Sequence, residues 1–258
     1  MIRKIALAMA TLLLILGVSR VAVHGQTPEV KEKPPMYSYV SNWSIPRAQW
    51  ADMEKAAGAN QAILEKGLAS GTLVAYGSDM TMVHEADGST HDSWWSAMSM
   101  AGLLHVLAEI HKSGNATSSV LSSATKHWDS IYVSRYYNWH SGTWKDVYTH
   151  GSSYKLKADA PDSALDQLSK NMIVPLLEKE LADGTIHEYE IDTQAIHTES
   201  PSMFYIFYIA ANAEGVDKVS AAIRETLKAN PLSGPAFSSM TDSTAHRDEL
   251  ALTSATYK

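Results

Sequence analysis

No cysteine occurs among the 258 residues, so neither a disulfide framework nor a thiolate site nor a lipoprotein anchor is available, and packing must hold the fold. Basic residues are also scarce: 21 Lys and Arg stand against 28 Asp and Glu, a formal charge of −7. Phosphate backbones and anionic lipid both require a basic face. None is visible, which argues against nucleic acid as a partner. The sequence also lacks a phosphate-cradling Gly loop, a dinucleotide fingerprint, a Gly-x-Ser-x-Gly elbow and a His-Glu-x-x-His pair, so the common nucleotide, serine-hydrolase and zinc-protease chemistries lose support.

A long hydrophobic run is missing too. The mostly apolar stretch from Ile5 to Val18 falls short of the ~20 residues a membrane span needs. With Arg3 and Lys4 before it and Val23-His-Gly25 after it, it reads as a secretory signal over residues 1–25. The sequence therefore predicts a bacterial periplasmic or secreted protein, without a stable membrane anchor once the signal is cleaved. Cleavage would remove Arg3, Lys4 and Arg20 and no acid, taking the charge from −7 to −10. Residues 26–36, with Pro28, Pro34 and Pro35 among alternating charges, read as an unstructured tether.

What the chain does contain is a repeat. Ile63-Leu-Glu-Lys-Gly-Leu-Ala-Ser-Gly-Thr72 and Leu176-Leu-Glu-Lys-Glu-Leu-Ala-Asp-Gly-Thr185 agree at seven of ten positions at an offset of 113. The same offset carries Tyr76 onto Tyr189, Asp79 onto Asp192, His84 onto His197, Gly102 onto Gly215 and Ile110 onto Ile223. Two copies of one unit follow, at 37–137 and 154–258, joined by an aromatic connector at 138–153.

Each copy changes its apolar period in the same order. Short extended segments at Tyr37–Val40 and Tyr154–Lys157 precede Pro46 and Pro161, which suit helix starts. Helical faces follow, with Trp50, Met53, Ala57 and Leu64 in one copy and Leu165, Leu168, Met172 and Leu176 in the other. Gly71 and Gly184 end them, and Pro175 predicts a kink. Strands are expected over 72–83 and 185–196, then over 92–98 and 203–209. Second helices carry Leu103, Val106 and Ile110, matched by Val216, Val219 and Ile223. Final strands run over 127–137 and 246–257.

Each unit is thus strand, helix, strand, strand, helix, strand. This order resembles the ferredoxin-like fold and in particular the dimeric α/β-barrel superfamily, nearest in flavour to its YCII-like and NIPSNAP-like members. The resemblance implies an α+β chain of two tandem βαββαβ repeats closing an intramolecular pseudo-dimeric barrel, with a ligand cavity between the sheets. A sheet covered by helices on one face needs something against the other, and a second sheet supplies it.

Residues recurring in both copies are the candidates for chemistry. His127-x-Asp129 and His246-x-Asp248 open the last strands, and a spacing of two puts each pair on one face, about 6.6 Å apart along the strand. A carboxylate there could orient an imidazole as general base, or both could ligate a divalent metal; equally, they could cap a turn. His84 and His197 are further candidates, though Asp79 and His84 are five apart, which puts them on opposite faces of a regular strand. Tyr76 and Tyr189, Trp94 and Trp95, and Phe207 and Tyr208 offer aromatic surface for a small, partly apolar ligand. One member of each adjacent aromatic pair should face the cavity and the other the helices.

The expected activity is a small-molecule enzyme using proton-transfer or oxygenation chemistry without an organic cofactor. The alternatives are a non-catalytic ligand-binding or sensing protein and a metal or haem protein, which the His and Asp recurrences permit without supplying a diagnostic ligand set. The chain is expected to be a monomer or homodimer.

Overall fold

A computed structural model describes residues 30–83, 87–198 and 201–258. The expected signal segment and His84 lie outside the described residues. In chain order the elements are β1 (Met36–Ser44), α1 (Trp50–Gly58), α2 (Gln61–Ser70), β2 (Ala75–Val83), β3 (His91–Ala97), α3 (Met100–Ser113), α4 (Ser119–Ser122) and β4 (Lys126–Trp139). They continue with β5 (Gly142–Leu156), α5 (Ala164–Leu168), α6 (Val174–Ala182), β6 (Ile186–Gln194), β7 (Met203–Ala210), α7 (Ala213–Ala229), α8 (Ser233–Met240) and β8 (Thr241–Tyr257).

The eight strands close one antiparallel barrel in the order β1-β3-β2-β8-β5-β7-β6-β4. Within each half the strands run fourth, first, third, second. The halves meet at two seams, β2 with β8 and β4 with β6. Closure leaves no unpaired edge. The sheets are therefore joined edge to edge around a shared interior rather than stacked as two separate layers.

Alternation along each strand sends one set of side chains inward and the other under the helices. Outside the first half, Tyr39, Leu73, Trp95, Leu103, Val106 and Ile110 form a core against α2 and α3. Outside the second, Leu177, Leu181, Ile186, Tyr189, Tyr208 and Val219 do the same beneath α6 and α7. Inside, Ala75, Trp94, Val147, Ile209, Ala255 and Tyr257 form a smaller apolar cluster.

Positions at the repeat offset occupy equivalent places. Ser99 caps α3 by accepting from the Gly102 amide at 3.1 Å, and Asn212 caps α7 by accepting from the Gly215 amide at 2.9 Å. Both glycines sit where a Cβ would press on a backbone carbonyl, that of Thr72 for Gly102 and that of Thr185 for Gly215. Gly71 and Gly184 both adopt positive φ, 78° and 70°, in the turns that end α2 and α6, a region glycine enters without steric cost.

Several local expectations need correction. The first helix of copy one is two helices, α1 and α2, broken around Ala59 and Asn60. In copy two a π-turn over Ser169–Ile173 links α5 to α6 immediately before Pro175. A proline ring collides with the carbonyl four residues back, and widening the preceding turn relieves the collision. The aromatic stretch 138–153, expected as a connector, completes β4 and supplies most of β5. Tyr148, His150 and Tyr154 share the outer face, stacking or packing on the helical side. Of the proposed tether, residues 30–35 carry no helix or strand yet are held against β4. The Lys33 amide donates to the Arg135 carbonyl at 2.8 Å, and the Tyr137 hydroxyl donates to the Pro34 carbonyl at 2.8 Å.

Candidate functional site in the barrel interior

Inward-facing residues from all eight strands enclose a cavity of about 80 Å³. Val40, Trp94, Tyr132, Phe207, Ile209 and Tyr257 supply its apolar wall, and Asp79, Asp92, Glu188, Glu190 and Glu249 supply carboxyls. Lys, Arg and His are absent from this lining among the described residues. The cavity shares Asn42, Tyr132, Phe207 and Glu249 with a wider mouth of about 500 Å³ formed by the β2–β3 turn and the adjacent ends of β4, β5, β7 and β8. Arg247 stands at that mouth.

The carboxyls are held by hydroxyls and one indole. Asp79 accepts from Trp94 Nε1 at 2.9 Å and from the Thr253 hydroxyl at 2.5 Å. Glu190 accepts from Ser134 at 3.2 Å and Ser38 at 3.4 Å, while Ser134 also donates to Asp192. Burial disfavours a charged carboxylate more than these bonds favour it. Asp79 is consequently pushed up to about 6 and Glu190 to about 7. Asp92, Glu188 and Asp192 are raised well above the usual carboxyl range, first by burial and then by the charge of neighbouring acids. Tyr257, deep among them, is raised for the same two reasons. The hydroxyls of Ser89 and Thr81 stand beside the Asp92 carboxyl, while Asp192 Oδ2 is buried with no hydrogen-bond partner among the described residues.

Trp94 and Phe207 face this interior, while their neighbours Trp95 and Tyr208 pack beneath the helices. Tyr76 and Tyr189 also lie on the helical side, where the Tyr189 hydroxyl donates to Glu178 at 2.5 Å. Gly77 is what lets Trp94 lie flat against β2, since a Cβ there would overlap the indole ring.

The His–Asp pairs have matching surroundings in both halves. His127 Nδ1 is 2.9 Å from the Asn42 carbonyl and its Nε2 is 3.5 Å from Asp129. His246 Nδ1 is 3.1 Å from the Ser153 carbonyl and its Nε2 is 3.1 Å from Asp248. Each ring is stacked, His127 on Trp43 at 3.6 Å and His246 on Tyr154 at 4.4 Å.

These histidines do not reach the cavity. Ser130 and Tyr132 point inward, so strand parity turns His127 and Asp129 outward, into a groove of about 200 Å³ under α1 and α3. Carbonyl oxygens only accept, so Nδ1 donates in each ring, and Nε2 lies beside the carboxylate. A histidine base working inside the barrel is therefore not the arrangement present. His197 is exposed beyond the end of β6.

Asp92, Glu188, Glu190 and Glu249 were missed in the sequence because they do not recur between the copies. A signal was available: in Ile186-His-Glu-Tyr-Glu-Ile-Asp192 the acids alternate with residues of a buried strand, so they share the face that points away from the helices.

The interior residues do not fit a haem. The lining presents carboxyls and hydroxyls rather than an imidazole, and a porphyrin's own carboxylates would meet like charge. Among the described residues no three His, Asp or Glu side chains are grouped to hold a metal ion.

No protein-family model and no curated protein matches the chain. Solved structures do. A "putative monooxygenase" from Lactobacillus acidophilus NCFM superposes with a TM-score of 0.58 at 12% identity, covering 86% of this chain and 94% of that one. A protein of the same description from Fusobacterium nucleatum gives 0.56 at 7% identity, with 88% and 95% covered. A heme-binding protein from Thermus thermophilus gives 0.52 at 9% identity, with 88% and 94% covered. At such identities the likeness establishes the fold alone and leaves the chemistry to the residues.

Proposed function

We propose that the chain is an exported, internally duplicated barrel that catalyses proton transfer on a small, partly apolar molecule bound inside it, without an organic cofactor. Asp79 and Glu190 are the working groups. One observation carries this reading: two carboxyls, Asp79 from β2 and Glu190 from β6, line the same cavity, and burial pushes both up, to about 6 and about 7. Effective general acids and bases have values near the operating pH, and two such carboxyls facing one cavity can serve a substrate from two sides. Ionised Asp79 takes a proton from the substrate, and protonated Glu190 returns one at a second position. The exchange is redox-neutral and needs no co-reactant. Trp94 and Phe207 hold the substrate's apolar part, and the closed wall limits water. The neighbours described as monooxygenases and as heme-binding share the fold, and the acid-lined interior favours proton chemistry over either.

The test is solvent-deuterium exchange into small aromatic ketones, with and without an amino group, followed by NMR. Exchange should follow a bell-shaped pH profile and disappear in both Asp79→Asn and Glu190→Gln. Wild-type exchange in both variants would remove these residues from the mechanism.

A further inference from the structure

We infer that the barrel takes a substrate with two unlike ends, a slim polar head that enters the inner cavity and a flat aromatic body that stays in the wider mouth, and that Phe207 and Gly151 set this specificity. The inference deepens the reading of the barrel interior as the substrate site and rests on that placement. Size makes the first argument. The inner cavity measures about 80 Å³ and the mouth about 500 Å³. A cavity of about 150 Å³ holds one benzene ring, so a space about half as large takes a group of a few atoms and excludes a ring. Pockets that enclose a whole ligand start at about 300 Å³, and of the two spaces only the mouth reaches that.

The neck between them makes the second argument. Asn42 on β1, Tyr132 on β4, Phe207 on β7 and Glu249 on β8 border both spaces. The Tyr132 and Phe207 ring centroids are 6.2 Å apart. Contacting carbon atoms stand about 3.5–4.0 Å apart, so a flat group between two rings needs about 7 Å or more and does not pass here. A carbonyl with a short alkyl arm is slim enough to go past them. In the mouth Trp128 and Tyr205 join Phe207, and the Tyr205 and Phe207 rings lie nearly parallel, at 8°, which suits an aromatic body.

Gly151 on β5 fixes the width of the neck. A Cβ there would stand 2.8 Å from the Phe207 ring and 3.1 Å from Glu249 Cγ. Two of the four neck residues thus rest on this glycine, and a larger side chain would drive them into the passage.

The experiment compares two ketones of similar size: acetylnaphthalene, a methyl ketone on one flat body, and deoxybenzoin, with a ring at each end. Calorimetric titration measures binding, and NMR follows solvent-deuterium exchange at the α carbon. The unaltered protein should bind acetylnaphthalene at least about tenfold more tightly than deoxybenzoin. Phe207→Ala opens the neck and should bring the two within about threefold of each other. Gly151→Ala narrows it and should weaken acetylnaphthalene about tenfold or more. Should a variant fail to fold, the preference of the unaltered protein decides alone.

Equal binding of the two ketones, an unchanged preference in folded Phe207→Ala, wild-type affinity in folded Gly151→Ala, or no binding of acetylnaphthalene at millimolar concentration would each overturn the inference. Preferential binding of acetylnaphthalene without exchange would leave it standing and remove the proton-transfer reading. Equal acceleration of exchange in both ketones would do the reverse.

Discussion

Asp79→Asn should stabilise the protein at pH 8 and destabilise it at pH 4. Burial raises the Asp79 carboxyl from 3.8 to about 6, so between these values the folded chain holds a proton that the unfolded chain has released. By linkage, stability then falls as pH rises through that window and is level on either side. Each unit corresponds to about 1.4 kcal/mol, so the ionised carboxylate costs at most about 3 kcal/mol. Asp79 is half-buried against the cavity, and screening there reduces the figure to about 2 kcal/mol. Asparagine never bears this cost, but its amide group replaces an acceptor facing Trp94 Nε1 or the Thr253 hydroxyl, a loss of about 1 kcal/mol. The variant should thus be more stable by about 1 kcal/mol at pH 8 and less stable by about 1 kcal/mol at pH 4. Urea unfolding followed by tryptophan fluorescence at both pH values measures the difference, and the remaining interior acids largely cancel because both proteins contain them. A variant that loses more stability at pH 8 than at pH 4 would show that the fold favours the carboxylate, refuting the burial argument.

Gly77→Ala should cost about 1–3 kcal/mol and shift tryptophan emission, because the new Cβ would overlap the Trp94 ring and come within 2.8 Å of the Ser254 carbonyl; an unchanged spectrum would contradict the close contact. Gly215→Ala should lower Tm more than Gly102→Ala, since the carbonyl each Cβ approaches is 2.7 Å away in the first case and 3.1 Å in the second. His127→Ala and His246→Ala should each change stability by about 1 kcal/mol or less, their ion pairs being about a third exposed or more, and should leave deuterium exchange intact. Mass measurement of protein recovered from outside the cytoplasm should find residues 1–25 removed; a retained segment would end the export proposal.

The fold was legible because the sequence states several structural constraints twice, at an offset of 113. Gly102 and Gly215 match since both must clear a carbonyl, and Gly71 and Gly184 match since both turns need positive φ. Period-two and helical patterns located the strands and second helices within a few residues. Long-range pairing was less visible: nothing local to β8 specifies that it joins β2, a choice made by edge-to-edge closure of two sheets. The strand in 138–153 was hidden because aromatic residues suit a connector and a strand equally, although the spacing of Tyr148, His150 and Tyr154 already had a strand's period.

The same logic explains why recurrence pointed to residues outside the barrel. A feature required in both halves is one that each half needs to fold, and the twin His–Asp pairs, stacked and hydrogen-bonded at matching strand starts, behave in that way. A cavity lined by strands of both halves is different, because a single ligand need not meet matching residues on its two sides. At the repeat offset Asp92 faces Tyr205, Glu188 faces Ala75, and Glu190 faces Gly77. Only Asp79 keeps an acidic counterpart, in Asp192. Departure from the repeat at inward positions is therefore the better guide to where a ligand would bind, and it selects the acid-lined interior over the matched histidines outside.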